Sequence, residues 1–419
     1  MLHCRVGVIG LGYVGLPLAL AFGEHYRVVG YDIDVNRVSE LQQGKDHTGQ
    51  IRAEELLASS VVFVSDANKL KDCTVYIITV PTPVHPDKTP DLSALEAATK
   101  QIAQLLKKGD LVIYESTVYP GCTEDFCVPI LSRVSGLIYN QDFYCGYSPE
   151  RISPGDPLRQ LKQVVKLTSG STSEIAGVVD NLYKQIITAG TYKAASIKVA
   201  EAAKAIENAQ RDLNISFMNE LALIFDKMEI DTQDVLDAAA TKWNFLPFKP
   251  GLVGGHCIAV DPYYLVHKAN ELGYAPRVIS SGRAVNDEMA EFMAAKLVKA
   301  LLKRNVAIKE TKALILGITF KENCPDIRNT QVPFLKAALD SYDMQVAVHD
   351  PIADEEEVMK HTGIHLIDNP SLDHYQVIIL AVPHQALLQL DLASWKQQPN
   401  AFLFDIKSVL DRSLVDLRL

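Results

Sequence analysis

Short apolar runs punctuate the first half of the chain, and each stops at polar or turn-forming residues. Val6–Gly10, Arg27–Asp32, Val75–Val80, Leu111–Glu115 and Phe143–Tyr147 read as strands, with stretches of helical character between them. This alternation predicts a parallel sheet covered by helices on both faces. In such a sheet ligands sit beyond the carboxyl ends of the strands. Pro81-Thr82-Pro83, Ser116-Thr117 and Ser148-Pro149-Glu150 are therefore candidate walls of a site.

The same design returns after Lys312. Ala313–Gly317 reads as strand, Val332–Ser341 as helix and Gln345–His349 as strand ending at Asp350-Pro351, with further strands at Val377–Val382 and Phe402–Ile406. This second sheet lacks a glycine fingerprint, so it suits a nucleotide better than a dinucleotide. Between Gly190 and Pro247 there is neither glycine nor proline, and Ser196 is placed to cap a helix running through Ile197, Ile206, Leu213, Phe217, Leu221 and Ile224. A helix of about 30 residues is roughly 45 Å long, which fits a connector between lobes and a subunit contact.

Composition narrows the class. The 419 residues exceed what one hydrophobic core supports, and 48% apolar with 22% charged residues is the balance of a globular enzyme. A net charge of -10 and a pI near 5.6 argue against nucleic acid as a partner. The seven cysteines, Cys4, Cys73, Cys122, Cys127, Cys145, Cys257 and Cys324, form no CxxC pair. A disulfide framework or a metal site is not expected, and a reducing, cytoplasmic home is. Glycines at 7, 10, 12 and 15 break the one early stretch that resembles a signal-peptide core, and no apolar run reaches the roughly 20 residues that span a bilayer.

Gly10-Leu11-Gly12-Tyr13-Val14-Gly15 follows a strand and opens a helix, and Asp32 ends the next strand. Gly10 permits the turn, Gly12 lets backbone approach a pyrophosphate, and Gly15 allows close packing of helix on sheet. Tyr13 and Val14 lie where the helix N-terminus offers amides to phosphate. Asp32 accepts from ribose hydroxyls and repels a 2'-phosphate, which points to NAD over NADP. Arg37 reads as a cover for the adenine or as part of a solvated helix face, with pairing to a 2'-phosphate the less favoured reading. Pro81, Thr82, Ser116 and Thr117 complete the expected cofactor wall.

From Pro250 to Asp261 the chain reads PGLVGGHCIAVD. Its proline and three glycines exclude regular structure, which sets Cys257 on a tight loop rich in free amides, where a thiolate is favoured. Taken alone, a lone cysteine is more often a buried small hydrophobe. On the long helix, Lys204 and Asn208 are four residues apart and share a face, so they are either a pair for an oxyanion or two solvated polar residues.

With these motifs assembled the chain resembles the UDP-glucose/GDP-mannose dehydrogenase family along essentially its whole length. GLGYVG at 10–15, ESTV at 115–118, SPER at 148–151, EAAKAIEN at 201–208, GGHCIAVDP at 254–262 and FKENCPDIRNT at 320–330 carry the resemblance. It implies an α/β fold of two Rossmann-like, doubly wound parallel-sheet domains joined by a long central helix and a helical dimerisation region. The implied boundaries are 1–194 for NAD, 195–305 for dimerisation and the cysteine loop, and 306–419 for the UDP of the substrate. By resemblance Cys257 attacks a C-6 aldehyde, Lys204 and Asn208 stabilise the oxyanion, Asp261 assists proton transfer, and Thr117 and Glu150 lie near a water. Arg151, Gly251, Gly254, Gly255 and Lys321 are implied to contact the substrate, and Arg328 to reach the cofactor side of the cleft.

The implied reaction oxidises a primary alcohol to a carboxylate through a thiohemiacetal and a thioester, consuming two NAD. Relatives acting on UDP-glucose often carry a lysine where Val260 stands. The cysteine loop and FKENCPDIRNT are similar to members acting on UDP-N-acetylhexosamines in bacterial surface-polysaccharide synthesis, although Ala259 replaces a proline common in that subgroup. UDP-N-acetylglucosamine or UDP-N-acetylgalactosamine is the expected substrate, with UDP-glucose and GDP-mannose as alternatives. Remoter alternatives are a single-hydride dehydrogenase of hydroxyacid type and a silent nucleotide-binding scaffold. A homodimer or higher homo-oligomer is expected, without nucleic acid or membrane as partner.

Overall fold

The computed structural model describes residues 4–152, 160–255, 258–309 and 311–419. The backbone divides into two compact units, Met1–Glu207 with Tyr263–Ala275 and Asn208–Pro262 with Pro276–Leu419.

In the first unit β1 (Arg5–Ile9), α1 (Gly15–Gly23), β2 (Arg27–Tyr31), α2 (Val35–Gln42), α3 (Ala53–Ala58), β3 (Val62–Val64), β4 (Val75–Ile78), α4 (Ser93–Ala103) and β5 (Asp110–Tyr114) follow one another. Then come α5 (Val128–Ser135), β6 (Phe143–Tyr147), β7 (Lys166–Gly170), α6 (Ser173–Lys184) and β8 (Thr191–Lys193). The sheet order is β3-β2-β1-β4-β5-β6-β7-β8. Strand β1 pairs parallel with β2 and with β4, so Val6 lies between Val28 and Val75. Successive strands are added on opposite sides of β1, and the connections that diverge there leave a crevice at the carboxyl ends. Strands β4 and β5 are buried at every position, as the middle of a sheet covered on both faces demands.

The observed strands end before Gly10, Asp32 and Glu115, because these residues already serve the loops. Short strands β3, β7 and β8 were not expected, and β7 joins β6 antiparallel, Gly146 facing Gly170.

The long helix is α7 (Ile197–Met228), 32 residues, with Ser196 Oγ accepting from the Val199 amide at 3.2 Å. It stops without glycine or proline. Glu229 takes a φ of 58°, and Asp231 accepts from the amides of Gln233 and Asp234 to start α8 (Thr232–Ala240). Helix α9 (Asp261–Glu271) follows the cysteine loop, and α10 (Arg277–Lys303) is a second long helix that the sequence reading did not single out.

The second unit carries β9 (Lys312–Leu316), α11 (Val332–Asp340), β10 (Gln345–His349), α12 (Glu355–Thr362), β11 (Val377–Leu380), α13 (Leu392–Trp395), β12 (Phe402–Asp405) and β13 (Leu417–Arg418). Its strands run parallel in the order β10-β9-β11-β12-β13. Pleating sends alternate residues to two cores. Ile315, Ile379 and Phe404 pack in one with Met289, Met293 and Leu297 of α10, while Leu316, Leu380, Leu403 and Trp395 form the other. Among the described residues no helix is long and apolar enough to cross a membrane.

Candidate active site

The glycine loop is built by exclusion. Gly10 has a φ of 93°, and a Cβ on Gly15 would lie 1.8 Å from the Gly10 carbonyl oxygen and 2.4 Å from Thr79 Oγ1. Thr79, which the sequence reading missed, donates toward the carbonyls of Ile9 (2.9 Å) and Gly10 (2.7 Å) and braces the turn. At Gly12, by contrast, a Cβ would meet nothing within 4 Å. That open space beside exposed backbone, at the entry to α1, is room for a pyrophosphate. Asp32 Oδ2 accepts from the Leu11 amide at 2.7 Å and Oδ1 from the Asp34 amide at 2.9 Å. A carboxylate has about four acceptor positions, so both oxygens keep capacity for ribose hydroxyls. These residues fit a dinucleotide.

Arg37 departs from the expectation of a solvated helix face. It is buried, and its guanidinium donates to the Leu11 carbonyl at 3.0 Å and pairs with Asp46 at 2.7 Å. Its charge is matched inside the protein, which leaves little to recommend pairing with a 2'-phosphate and makes Arg37 a brace behind the glycine loop. Tyr13 and Val14 are half-buried at the start of α1.

Beyond β4 and β5 the walls are tied together. Thr82 Oγ1 donates to the Thr117 carbonyl at 2.6 Å, Ser116 Oγ to the Val80 carbonyl at 2.6 Å, and Tyr264 of α9 to the Thr82 carbonyl at 2.8 Å; Pro81 is exposed. Glu150 Oε1 accepts from the amides of Arg151 (2.5 Å) and Ile152 (2.6 Å), so the carboxylate turns back over its own loop. Arg151 pairs with Glu207 of α7 at 2.7 Å. Lys204 is buried rather than solvated. One turn before it, buried Glu201 accepts from the amides of Gly121 (2.5 Å) and Thr123 (2.9 Å), and burial pushes its carboxyl up to about 7.

In the second unit Asn208 Nδ2 donates to Asp261 Oδ2 at 2.5 Å, with Asp261 buried at the start of α9. Cys257 and His256 lie outside the described residues, but both flanks of their loop are placed. Gly254 and Gly255 press against the 320–330 segment: a Cβ on Gly254 would stand 2.8 Å from the Asn329 carbonyl oxygen, and one on Gly255 2.9 Å from the Phe320 ring. The Gly255 amide donates to the Arg328 carbonyl at 3.0 Å. Arg328 itself is forked onto Asp326, and Lys321 is half-buried. At the other flank Asn219 of α7 accepts from the Gly251 amide at 2.7 Å and donates to its carbonyl at 3.1 Å. A pocket lined by Leu252, Gly254, Phe320, Gln331, Val382 and Lys407 opens beside the loop, and burial pushes Lys407 down.

The described cysteines are free thiols. Cys73, Cys122, Cys127, Cys145 and Cys324 are buried, and burial pushes Cys73 up to about 11 and raises Cys145 as well, the reverse of what a nucleophile needs.

Comparison with known proteins agrees in each region. Models of the UDP-glucose/GDP-mannose dehydrogenase family match residues 4–187 as its NAD binding domain, 198–288 as its central domain and 314–412 as its UDP binding domain. The chain is 53% identical to a UDP-N-acetyl-D-glucosamine 6-dehydrogenase of Pseudomonas aeruginosa, with 100% of both chains covered. It is 52% identical to one of Salmonella typhi, over 99% of this chain and 98% of that one. A solved structure of a UDP-D-ManNAc dehydrogenase from Pyrococcus horikoshii superposes with a TM-score of 0.88 at 29% identity, covering 99% of this chain and 98% of that chain.

Proposed function

We propose, from the premise that this chain belongs to the UDP-glucose/GDP-mannose dehydrogenase family, that it oxidises the C-6 hydroxymethyl group of UDP-N-acetylglucosamine to the carboxylate. The observation that carries the choice of sugar is the 53% identity, over all of both chains, to a relative named for that substrate. The enzyme is NAD-dependent, and the product serves surface-polysaccharide synthesis.

NAD, which Gly10, Gly12, Gly15 and Asp32 would hold, would supply the hydride acceptor for both oxidations, two equivalents per sugar. The protein supplies the rest. The Cys257 thiolate adds to the aldehyde carbon, and the oxyanion formed is stabilised by Lys204 and by the Asn208 amide. Loss of the second hydride leaves a thioester. Water, held by Thr117 and Glu150, attacks its carbonyl carbon, the C–S bond breaks, and the thiol is regenerated as the carboxylate leaves. Asp261, fixed by Asn208, takes up and returns protons at the reacting oxygen.

A homodimer is supported by α7. Val199, Ile206, Phe217, Ile224 and Met228 are exposed and, at 100° per residue, fall within a narrow arc along roughly 43 Å of helix. A cytoplasmic site of action is supported by the free thiols and by the need for NAD.

The test is stoichiometric. With UDP-N-acetylglucosamine, two NADH per sugar are expected, and Cys257→Ser is expected to stop at the aldehyde stage while binding NAD with wild-type affinity. One NADH per sugar in the wild type, or faster turnover of UDP-N-acetylgalactosamine or UDP-glucose, overturns the assignment.

A further inference from the structure

Lys166 opens β7 with its side chain 3% exposed, an ammonium group almost wholly removed from water. Its Nζ lies 2.6 Å from Glu115 Oε2, 3.0 Å from the Pro149 carbonyl oxygen and 3.7 Å from Glu150 Oε2. The hydroxyl of Tyr183, on α6, donates to the other oxygen of Glu115, and the Tyr183 ring centroid is 5.2 Å from the ammonium. Ser148 Oγ is committed to the Leu167 carbonyl at 2.7 Å. Arg151, next in the chain after Glu150, is drawn onto Glu207. Glu150 Oε1 is taken by two backbone amides, and Oε2, buried and without a hydrogen-bond partner, has the Lys166 ammonium as its near charge.

Two carboxylates thus share one ammonium at the ends of three neighbouring strands. Separating such charges from water is costly unless they neutralise one another. The ammonium donates to the Pro149 carbonyl, from which Glu150 departs, and faces the outer oxygen of the Glu150 carboxylate as an ion pair at 3.7 Å. Glu115 and Tyr183 hold the ammonium from behind.

We propose that Lys166, backed by Glu115 and Tyr183, is a positioning residue for Glu150: its ammonium sets the direction of the Glu150 carboxylate and stabilises its anion for the hydrolytic half of the reaction. This rests on the reading that Glu150 holds the attacking water. Glu115 is the counterweight. Burial pushes its carboxyl up to about 7 even beside Lys166, so removing Lys166 alone would strand it.

The test uses two neutralising variants and a control in the full-length enzyme. Lys166→Met with Glu115→Gln removes the pair without stranding the buried Glu115 carboxylate, and leaves Glu150 without its near cation. Its NAD affinity, read by fluorescence titration, is expected to match wild type, while the low-pH limb of acid release from the thioester moves up by about one pH unit. Glu115→Gln alone leaves the ammonium with a single carboxylate, and the limb is expected to move down. Should the double variant fail to fold, the sign of the Glu115→Gln shift decides, and an unmoved limb refutes the proposal. Glu150→Gln separates the two readings. If it hydrolyses the thioester at the wild-type rate, the role of Glu150 fails and this inference with it. If it loses 100-fold or more while both neutralising variants keep the wild-type profile, the role of Glu150 stands and Lys166 is merely structural.

Discussion

Asn219 shows how one buried side chain holds a loop in place. Its amide meets both the N–H and the C=O of Gly251, and Nδ2 also donates to Asn286 Oδ1 at 2.8 Å. Asn286 in turn donates to Asp212 Oδ1 at 2.8 Å, which Arg283 pairs with at 2.6 Å. Asn219→Ala would orphan two backbone groups at the base of the cysteine loop, each worth about 1–3 kcal/mol when buried without a partner. A loss of about 3 kcal/mol in urea unfolding is expected, with a lower kcat and an unchanged NAD dissociation constant, because the glycine fingerprint belongs to the other unit. Nothing in the sequence marks Asn219: it is one polar residue in a helical stretch, and its partner lies 32 residues away. Cys257 was singled out from the proline and three glycines before it, and it lies outside the described residues.

At the scale of elements, α7 was the most readable, because an uninterrupted stretch of good helix formers has no competing conformation. Its apolar stripe from Val199 to Met228 cannot be told in sequence from a core-facing stripe, and the structure leaves it exposed. Phe217→Asp places a charge in the middle of that stripe. Light scattering is expected to show a monomer, with thermal unfolding changed little, because an exposed side chain contributes little to the core. If the variant stays a dimer, the contact lies elsewhere. Helix α10 went unread because its buried residues, Met289, Met293, Leu297 and Leu301, become a continuous face only against α11 and the second sheet.

Across the whole molecule the two sheets repeat one device. An aspartate at the end of the second strand of each unit, Asp32 or Asp350, receives an amide from the loop after the first strand. Asp350 is used up: it accepts from the amides of Ile318 (2.7 Å), Ile352 (3.0 Å) and Ala353 (3.0 Å) and from His384 Nε2 at 3.0 Å. His384 Nδ1 accepts from the Asn323 amide, so the ring proton sits on Nε2, facing Asp350. Burial alone would raise Asp350, but these bonds outweigh it and hold the carboxyl down at about 2. A depressed folded-state value stabilises above the unfolded value near 4 and loses that contribution as pH falls toward 2. Asp350→Asn is therefore expected to cost about 2 kcal/mol at pH 7, and the gap in urea midpoint from wild type is expected to close as the pH is lowered from 5 toward 2. The alternation of strands and helices was present in the chain as written, because local sterics and periodicity dictate it residue by residue; the choice of NAD was carried by the chemistry of Asp32, and the class of reaction by the resemblance of the motifs to a known family. The antiparallel β7, the burial of Arg37, the consumption of Asp350 and the meeting of Lys166 with Glu115 and Glu150 came only with folding, since each depends on groups from separate strands brought together where water is excluded.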